Sequence, residues 1–522
     1  MQCSSPFPGF STPTPHPTNA FRDTTQSRVY FTFSRIHEMS RGEDPDLTLY
    51  ENSAAHNDFA LDDAVQDETA HGDTRSNLSF DIDAEDPEAD QTRVGDEIGL
   101  LGQPSAHLKG IFDESKKSNL RMAFMNMANS IIGAGIIGQA YAVRQAGLMG
   151  GILLLLGLTV VIDWTIRLMV TNSKLSGMRT YQATVKYCFG RPGAIAVSLA
   201  QGLFAFGGSM AYCIIIGDTI PKVIRGIFPS IESHNILSVL SGRVAVMIYC
   251  VMFVSYPLAL NRNIAALAKA SALALVSMLV ITLTVAIRGP LVKPADAHMS
   301  KSLWTFNSGF FQAISVISFA FVCHHNTLLI YDSLKTPTLN RFAVVVHWST
   351  GVSMLCCIVL GIGGFLSFQD KTLGNVLNNF PNKDIMANVA RFCFGFNMIT
   401  TLPLEIFVCR EVILEALFPH QEKSSTIQHV FTTTALILAA LVVSMLTCDL
   451  GIILELVGAS TACTMAYVFP PLCFIKLSSK PRSHPQKLIC YACVVFGILV
   501  LILSSAMTLR NLGKGEHHKC GA

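Results

Sequence analysis

From residue 119 to residue 509 the chain is a succession of apolar runs separated by short polar breaks. Each run is close to the roughly 20 residues that a helix needs to cross a bilayer. In lipid every backbone polar group must be satisfied within the segment, so runs of this length predict helices. Eleven runs are found, at 121–146, 148–171, 194–220, 241–260, 264–287, 308–334, 341–367, 386–417, 427–448, 451–475 and 487–509.

The composition excludes a soluble globular protein. Hydrophobic residues make up 50% of the chain and charged residues 14%, against about 25% charged residues in soluble domains. Most of the 15 cysteines lie in apolar runs, where cysteine behaves as a small hydrophobic residue. No Cys/His spacing indicates a metal site, and no basic aromatic patch indicates nucleic-acid binding. The sequence therefore predicts an all-α protein embedded in a lipid bilayer, with its transmembrane domain at 111–510.

The first 110 residues differ sharply from the rest. Residues 1–97 carry 20 acidic and 6 basic side chains, and Pro, Ser, Thr and Asp dominate. Such a segment buries too little apolar surface to fold, so a disordered acidic tail is expected. The first twenty residues lack the apolar segment of a signal peptide. The tail either only solubilises the chain or binds a regulatory protein, and residues 511–522 form a short C-terminal tail.

Lysine and arginine in the loops set the expected orientation. With the N-terminus in the cytosol, 14 of these residues fall on the cytosolic side and 8 on the opposite side. The bias predicts a cytosolic N-terminus and a C-terminus on the far side.

The first run, Met122–Gly147, carries glycines at 133, 135 and 138. Each glycine costs a helix about 1 kcal/mol relative to alanine, and unwound backbone in a bilayer is tolerated only where protein or a water-lined cavity supplies partners. Asn129 and Ser130 precede the glycines, so the pattern predicts a broken helix with a binding site. The spacing also matches G-x-G-x-x-G, but no strand precedes it, and we set the dinucleotide interpretation aside.

A second break is predicted in run six at Cys323, His324, His325 and Asn326. Two histidines and an asparagine at membrane depth are costly unless they line a cavity. This break falls five spans after the first, and paired interruptions of this kind indicate an inverted-repeat transporter with its site near the midplane. A metal site at the histidines is the less favoured interpretation.

Two sets of residues are candidates for coupling to a cation. Thr400 and Thr401 lie beside Pro403, which frees a carbonyl oxygen, so these oxygens either hold Na⁺ or bond within their own helix. Glu405 and Glu455 lie in apolar surroundings and are either structural or carriers of a proton. Two further charged groups have simpler interpretations. Asp163 and Arg167 are four residues apart, which predicts an ion pair on one helix face, and Asp218 is expected to cap or turn a helix end before a proline.

With these residues in hand, the chain resembles the amino acid/auxin permease family, and most closely its fungal vacuolar and sodium-coupled neutral amino acid transporter branches. The resemblance covers roughly residues 115–510. The motifs that carry it are Asn129 to Gly138, Asp163-Trp164-Thr165-Ile166-Arg167, Phe321 to Thr327, Thr401-Leu402-Pro403-Leu404-Glu405, and Leu454-Glu455-Leu456-Val457-Gly458-Ala459.

The resemblance implies a LeuT-like fold of two inverted five-helix repeats plus an eleventh helix, with the first and sixth helices broken. It implies that Ile132, Gly133, Ala134 and Gly135, with Gly138 nearby, hold the amino acid through backbone groups. It also implies that Asn129 and Thr401 support Na⁺ coupling. The absence of cysteine in loops 222–240 and 368–385, and of a glycosylation sequon on the far side, favours an internal membrane such as the vacuole.

These observations predict a secondary active transporter of neutral amino acids, coupled to H⁺ or Na⁺ and without another cofactor. An amino acid sensor that signals through the N-terminal tail is the alternative. A channel is disfavoured because no filter sequence is present. An enzyme is not expected, because the buried acidic residues are scattered over several helices.

Overall fold

The computed structural model describes residues 118–233, 235–261, 271–292, 307–418, 425–447 and 449–513. The predicted acidic tail at 1–110 and nearly all of the predicted C-terminal tail lie outside these residues. Within them, one isolated bridge between Ser118 and Leu334 is the sole β-pairing, and the remaining regular structure is helical. The prediction of an all-α chain is confirmed.

The α-helices of the described residues follow one another as numbered here in chain order. They are α1 (Leu120–Ile132), α2 (Gln139–Ala146), α3 (Leu148–Ser176), α4 (Tyr181–Ile227), α5 (Asn235–Leu240), α6 (Arg243–Cys250), α7 (Tyr256–Leu260), α8 (Ser271–Arg288), α9 (Phe310–Phe321), α10 (His324–Ser333), α11 (Leu339–Phe368), α12 (Ile385–Leu417), α13 (Thr426–Leu446), α14 (Leu450–Val457), α15 (Phe469–Leu477) and α16 (Pro485–Gly513).

The described helices supply ten spans long and apolar enough to cross a membrane, and up to eleven when α1 and Ala134–Ala146, bent by 41°, count as one. The spans follow the eleven predicted runs in order. Their outer surface is apolar, since Val160 is 70%, Phe253 74% and Leu446 79% exposed. Large apolar side chains in such number on the outside of a protein require lipid around them. The chain is therefore a multi-pass membrane protein.

Small residues let the interior helices approach closely. Helix α4 packs chiefly along α12. A Cβ on Gly207 of α4 would collide with Val457 of α14, and a Cβ on Gly458 would collide with the carbonyl of Ser315 in α9. Helices α4, α9 and α14 therefore meet in the centre of the protein, where the interrupted spans lie.

Two spans contain π-helical segments that precede prolines. Val251–Ser255 joins α6 to α7, whose second residue is Pro257, and Thr464–Val468 leads into α15 and Pro470. Proline has no N–H, so it leaves a carbonyl of the preceding turn without its helical partner. The backbone widens there, as π-segments commonly do within longer helices.

Charged residues near the ends of the spans tie neighbouring elements together. Asp218 is not the helix cap that its position before Pro221 predicts, because α4 continues through this proline to Ile227. Its carboxylate instead accepts hydrogen bonds from Arg243 at 3.1 Å and from Asn378 at 2.8 Å. The prediction from the proline was wrong because a proline removes one backbone hydrogen bond, and a helix held by its neighbours can continue past it.

Asp384 sits just before α12 and caps it by accepting a hydrogen bond from the N–H of Ala387 at 3.0 Å. Arg288, at the end of α8, donates to the same carboxylate at 2.7 Å. Burial disfavours the charged carboxylate, but the hydrogen bonds from Arg288 and Ala387 outweigh burial and hold the pKa of Asp384 below its usual value.

Candidate functional site

The first span is interrupted at Gly133. Helix α1 ends at Ile132, Gly133 has φ 26° and ψ −143°, and a 3-10 segment over Ala134–Gly138 follows before α2 begins. A side chain is strained at this φ, so glycine is the residue that fits. The N–H of Gly133 bonds to the carbonyl of Asn129 at 3.1 Å. The backbone of the first span thus leaves the α-helical conformation at Gly133.

The other two glycines of this stretch pack against neighbouring helices. A Cβ on Gly135 would collide with the backbone of Ala320 in α9, and a Cβ on Gly138 would lie 2.5 Å from Leu454 in α14. Their small size therefore has a packing reason, in addition to any contact with a ligand.

A residue that the sequence analysis missed satisfies part of the unwound backbone. The Gln139 side chain donates to the carbonyl of Gly135 at 2.8 Å. Gln139 is fully buried, and its Oε1 atom has no hydrogen-bond partner among the described residues. The signal in the sequence that could have identified Gln139 is its position, as a polar residue directly after the glycines of an apolar run. Its free oxygen is an acceptor that faces the interior beside the break.

The sixth span is interrupted at Val322 and Cys323, between α9 and α10. The predicted stretch Cys323–Asn326 therefore covers the end of the break and the first turn of α10. Cys323 Sγ lies 3.3 Å from Met127 Sδ in α1. The amide of Asn326 donates to Ser130 Oγ at 2.9 Å. The structure thus brings the two interruptions that the sequence predicts into contact.

The tautomer of His324 is assigned from the hydrogen bonds around it. Its Nε2 lies 3.0 Å from Thr165 Oγ1, whose hydroxyl donates to the carbonyl of Ile162 at 3.1 Å. Since that hydroxyl proton is used, Nε2 carries the hydrogen and Nδ1 is a bare acceptor. His324 is fully buried and this Nδ1 has no partner among the described residues.

His325 has the opposite arrangement. The Asn326 amide lies 3.0 Å from His325 Nε2 while it donates to Ser130, so Nε2 accepts and Nδ1 carries the hydrogen. Within the described part of the chain this Nδ1 has no acceptor. The His325 ring packs against Phe204 of α4 at 5.3 Å between centroids. Adjacent histidines therefore offer one unpaired acceptor and one unpaired donor beside the break.

The predicted sodium ligands bond within their own helix. Thr401 donates to the carbonyl of Asn397 at 2.7 Å, and Thr400 donates to the same carbonyl at 3.0 Å. Helix α12, which carries both, packs mainly against α4 and α8. Two interpretations were left open for these threonines. In this conformation their hydroxyls bond to a carbonyl of their own helix.

Glu455 of α14 is surrounded by donors from three other helices. Its Oε1 accepts from Tyr141 at 2.9 Å and from Gln145 at 3.1 Å, both in α2. Its Oε2 accepts from Gln312 of α9 at 2.9 Å and from Thr508 of α16 at 2.8 Å. We call these five residues the Glu455 cluster. All four bonds suit an ionised carboxylate, which only accepts.

The orientation of Tyr141 in this cluster is fixed as well. Gln145 donates to the Tyr141 oxygen at 2.7 Å, so the phenol hydrogen is directed to Glu455. The sequence analysis identified Glu455 but missed its four partners. Polar residues inside apolar runs, such as Gln312 and Thr508, were the signal that would have found them.

Glu405 of α12 is less well satisfied. Among the described residues Tyr212 of α4 is its one hydrogen-bond donor, at 3.4 Å from Oε1, and the buried Oε2 has no partner there. Gly208 of α4 faces this carboxylate, and the absent side chain leaves room for it. A protonated Glu405 is compatible with these surroundings, because burial without partners disfavours charge.

The predicted ion pair between Asp163 and Arg167 is confirmed, at 2.9 Å. Asp163 also accepts hydrogen bonds from α11, with His347 Nδ1 at 2.8 Å and Thr350 at 3.2 Å. The pair thus links α3 to α11 and is more than an internal contact of one helix.

Comparison with known proteins agrees with this architecture. A family model described as transmembrane amino acid transporter protein matches residues 116–510. Vacuolar amino acid transporter 2 of Saccharomyces cerevisiae is 45% identical over 415 residues, which cover 77% of this chain and 86% of that protein. The protein named "Putative sodium-coupled neutral amino acid transporter 11" of Danio rerio is 39% identical over 391 residues, 75% of this chain and 86% of its own. The protein of the same name in Homo sapiens is 35% identical over 377 residues, which cover 72% of this chain and 91% of that protein.

The resemblance that the motifs indicate is confirmed by these matches, which extend over the spans and both interruptions. The family model and these relatives are all described as amino acid transporters. The chain belongs to the transmembrane amino acid transporter family.

Proposed function

We propose that the protein is a secondary active transporter of amino acids that works by alternating access around its two interrupted spans. The observation that carries the proposal is the hydrogen bond between Asn326 and Ser130, which joins the two interruptions. In inverted-repeat transporters the substrate lies where two discontinuous helices meet near the midplane. The proposal includes a LeuT-like arrangement of two five-helix repeats and an eleventh helix.

A zwitterionic amino acid matches the unpaired groups at this junction. The His325 Nδ1–H donates to the α-carboxylate, together with backbone N–H groups released between Ile132 and Gly135. The His324 Nδ1 and Gln139 Oε1 atoms, which are buried acceptors without partners, accept from the ammonium group. These groups are neutral and complementary to the carboxylate and the ammonium group, and the proposed preference for uncharged side chains is supported by the names of the relatives from Danio rerio and Homo sapiens.

Coupling to protons through Glu455 is the mechanism that the geometry favours. Its carboxylate ties α2 and α9, which follow and precede the two interruptions, to α14 and α16. A proton on either oxygen makes that oxygen a donor and a weaker acceptor, so the donors that face it must rotate or lose strength. Protonation would therefore loosen the contact between α2 and α9 and favour the opposite-facing state. Glu405 is the second candidate carrier, since its Oε2 is unpaired.

Sodium coupling through Asn129, Thr400 and Thr401 is the competing mechanism. It is supported by the names of the relatives from Danio rerio and Homo sapiens. The threonine hydroxyls donate to Asn397 in this conformation, and their oxygens keep lone pairs that a cation could use. We rank this mechanism second because the described contacts of Glu455, and not those of the threonines, join the two interrupted spans.

The vacuolar membrane, with the N-terminus in the cytosol, is the proposed location. It is supported by the name of the Saccharomyces cerevisiae relative and by the lysine and arginine bias of the loops. A sensor role would operate through residues 1–110, outside the described residues. The relatives are named as transporters, so we propose transport.

The test uses the purified full-length protein in liposomes with labelled neutral amino acids outside. Uptake is measured without a gradient, with an inward proton gradient, with an inward Na⁺ gradient, and with both. We expect the proton gradient to drive accumulation that Na⁺ leaves unchanged, with protein-free liposomes as the blank. Accumulation driven by Na⁺ alone would contradict proton coupling through Glu455 and support sodium coupling through Thr401. No movement of any amino acid under either gradient would refute the transport proposal.

A further inference from the structure

A cavity of about 370 Å³ lies at the end of the spans that are joined by the α15–α16 loop, away from the two interruptions. Its size falls at the lower end of the roughly 300–1,000 Å³ typical of small-molecule sites. The residues that line it come from α4, α15, α16 and the loop between the last two. They are Phe189, Leu472, Ile475, Lys476, Arg482, Lys487 and Tyr491.

The polar side of this cavity is entirely basic. Lys476 comes from the end of α15, Arg482 from the loop, and Lys487 from the first turns of α16. No carboxylate in the described part of the chain forms an ion pair with any of the three. Three cations around one cavity repel one another, so an anion that binds among them relieves this repulsion.

Lys487 shows that the arrangement is built into the fold. Lys487 is only 6% exposed. Lysine is rarely buried in this way without a partner. The ammonium donates one hydrogen bond, to the carbonyl of Ser478 at 2.8 Å. An ammonium group has three donors, so two remain beside the cavity. Ser478 thus holds the lysine in place while its charge stays uncompensated.

An apolar stripe leads from the cavity along α16. Leu488, Tyr491 and Val495 follow at helical spacing on one face, and they are 55%, 40% and 57% exposed. This face lies on the lipid side of a membrane span, and tyrosine at the end of a span is typical of the membrane interface. A ligand with an anionic head and apolar chains could therefore place its head among the basic residues of the cavity and its chains along the apolar stripe.

We propose that this cavity binds a headgroup that carries a phosphate monoester, with that phosphate among Lys476, Arg482 and Lys487. Arginine and lysine are the side chains that bind phosphate through charge-assisted hydrogen bonds. Basic pockets between membrane helices bind phosphorylated lipid headgroups in this way. The same phosphate chemistry would also admit a free phosphate compound, and the experiment separates the two sources.

The experiment measures lipid bound to the full-length protein in detergent by native mass spectrometry. The probes are phosphatidylcholine and a phosphatidylinositol monophosphate with the same acyl chains. We expect preferential binding of one phosphoinositide molecule. Each basic residue near the surface contributes about fivefold to such binding, so the double variant Lys476→Gln/Arg482→Gln should weaken it about 25-fold. Both residues are exposed, which avoids the risk that Lys487→Gln alone disturbs folding.

The control is Lys480→Gln, which removes one positive charge from the loop that also carries Arg482. Lys480 does not line the cavity, and its ammonium bonds to Gln486 at 3.1 Å. This variant should change binding by less than twofold. Equal loss in Lys480→Gln and in the double variant would indicate diffuse surface charge and overturn the proposal, as would equal binding of the two lipids.

Two competitors identify the source of the phosphate. Inorganic phosphate and a soluble inositol phosphate are added to the lipid-bound protein at matched concentrations. Displacement by neither supports a membrane lipid that also uses the apolar stripe. Displacement by both at comparable concentration supports a free phosphate compound at the same basic residues. The readout is binding alone, so its outcome is independent of whether the transport proposal holds.

Discussion

The substitution Glu455→Gln tests the proposed coupling mechanism most directly. Glutamine keeps the size of glutamate but replaces one acceptor oxygen by an NH₂ group that can only donate. If the amide oxygen keeps Tyr141 and Gln145, the new NH₂ group faces Gln312 and Thr508. The Thr508 hydroxyl can rotate and accept, whereas the Gln312 amide faces another donor. The variant therefore imitates a protonated carboxyl group.

The magnitude follows from this count of hydrogen bonds. One buried donor without an acceptor costs about 1–3 kcal/mol, and the remaining bonds lose the benefit of a charged acceptor, which is about 1 kcal/mol each. Glu455 is only 2% exposed, so water cannot replace the lost partners. The conformation that contains the intact Glu455 cluster should thus be destabilised by about 4–6 kcal/mol. Such a change shifts a two-state equilibrium by roughly several hundred-fold or more.

The assay compares two modes of transport in liposomes. We expect the Glu455→Gln variant to lose accumulation driven by a proton gradient at least tenfold, because its state no longer changes with protonation. Exchange of labelled for unlabelled amino acid should persist, which shows that the variant is folded. Glu415→Gln is the control, since Glu415 lies exposed near the end of the same helix as Glu405. Undiminished proton-driven accumulation in Glu455→Gln would refute the role of this carboxylate.

The other predictions concern the interruptions and one helix cap. Gly133→Ala should lower stability by about 1–2 kcal/mol because of its positive φ, whereas Gly157→Ala, which has open space around it in α3, should be neutral or stabilising in a thermal unfolding assay. Asn326→Ala should raise the KM for amino acid about fivefold by removing a bond of about 1 kcal/mol, and adding Ser130→Ala should bring little further change, whereas additive effects would contradict the contact. Asp384 has a lowered pKa in the folded state, so its contribution to stability is complete above its usual pKa of 3.8 and is lost as the pH falls below that value. Asp384→Asn should lower the unfolding temperature at pH 7 and reduce the loss of stability on acidification, and identical acid profiles for both proteins would show that this carboxylate is not responsible.

Much of the fold could be predicted from the sequence because its signals are local. The spans follow from the length of each apolar run, which the bilayer thickness imposes without reference to other segments. The interruption at Gly133 was predicted for the same reason, since the conformational freedom of glycine belongs to the residue itself. The proline rule was less reliable, because α4 continues past Pro221 and Asp218 pairs with Arg243 instead of capping a helix. Whether a proline ends a helix depends on the packing around it.

The candidate site was predicted in part. His324, His325 and Asn326 were identified from their polarity in an apolar run, and the structure brings Asn326 to Ser130. The free nitrogen of each histidine was not predictable, because it depends on Thr165 in α3 for one ring and on the Asn326 amide for the other. The partners of Thr400 and Thr401 in this conformation lie in their own helix, and the role of these residues in cation coupling stays a prediction.

By itself the sequence determined that this chain crosses a membrane many times and which family it belongs to. Each of these properties depends on neighbouring residues or on short motifs. Only the tertiary structure decided what surrounds Glu455. Its donors lie 314, 310, 143 and 53 residues away along the chain, in Tyr141, Gln145, Gln312 and Thr508. A hydrogen bond depends on distance and direction in space, and helix packing alone brings these four groups to one carboxylate.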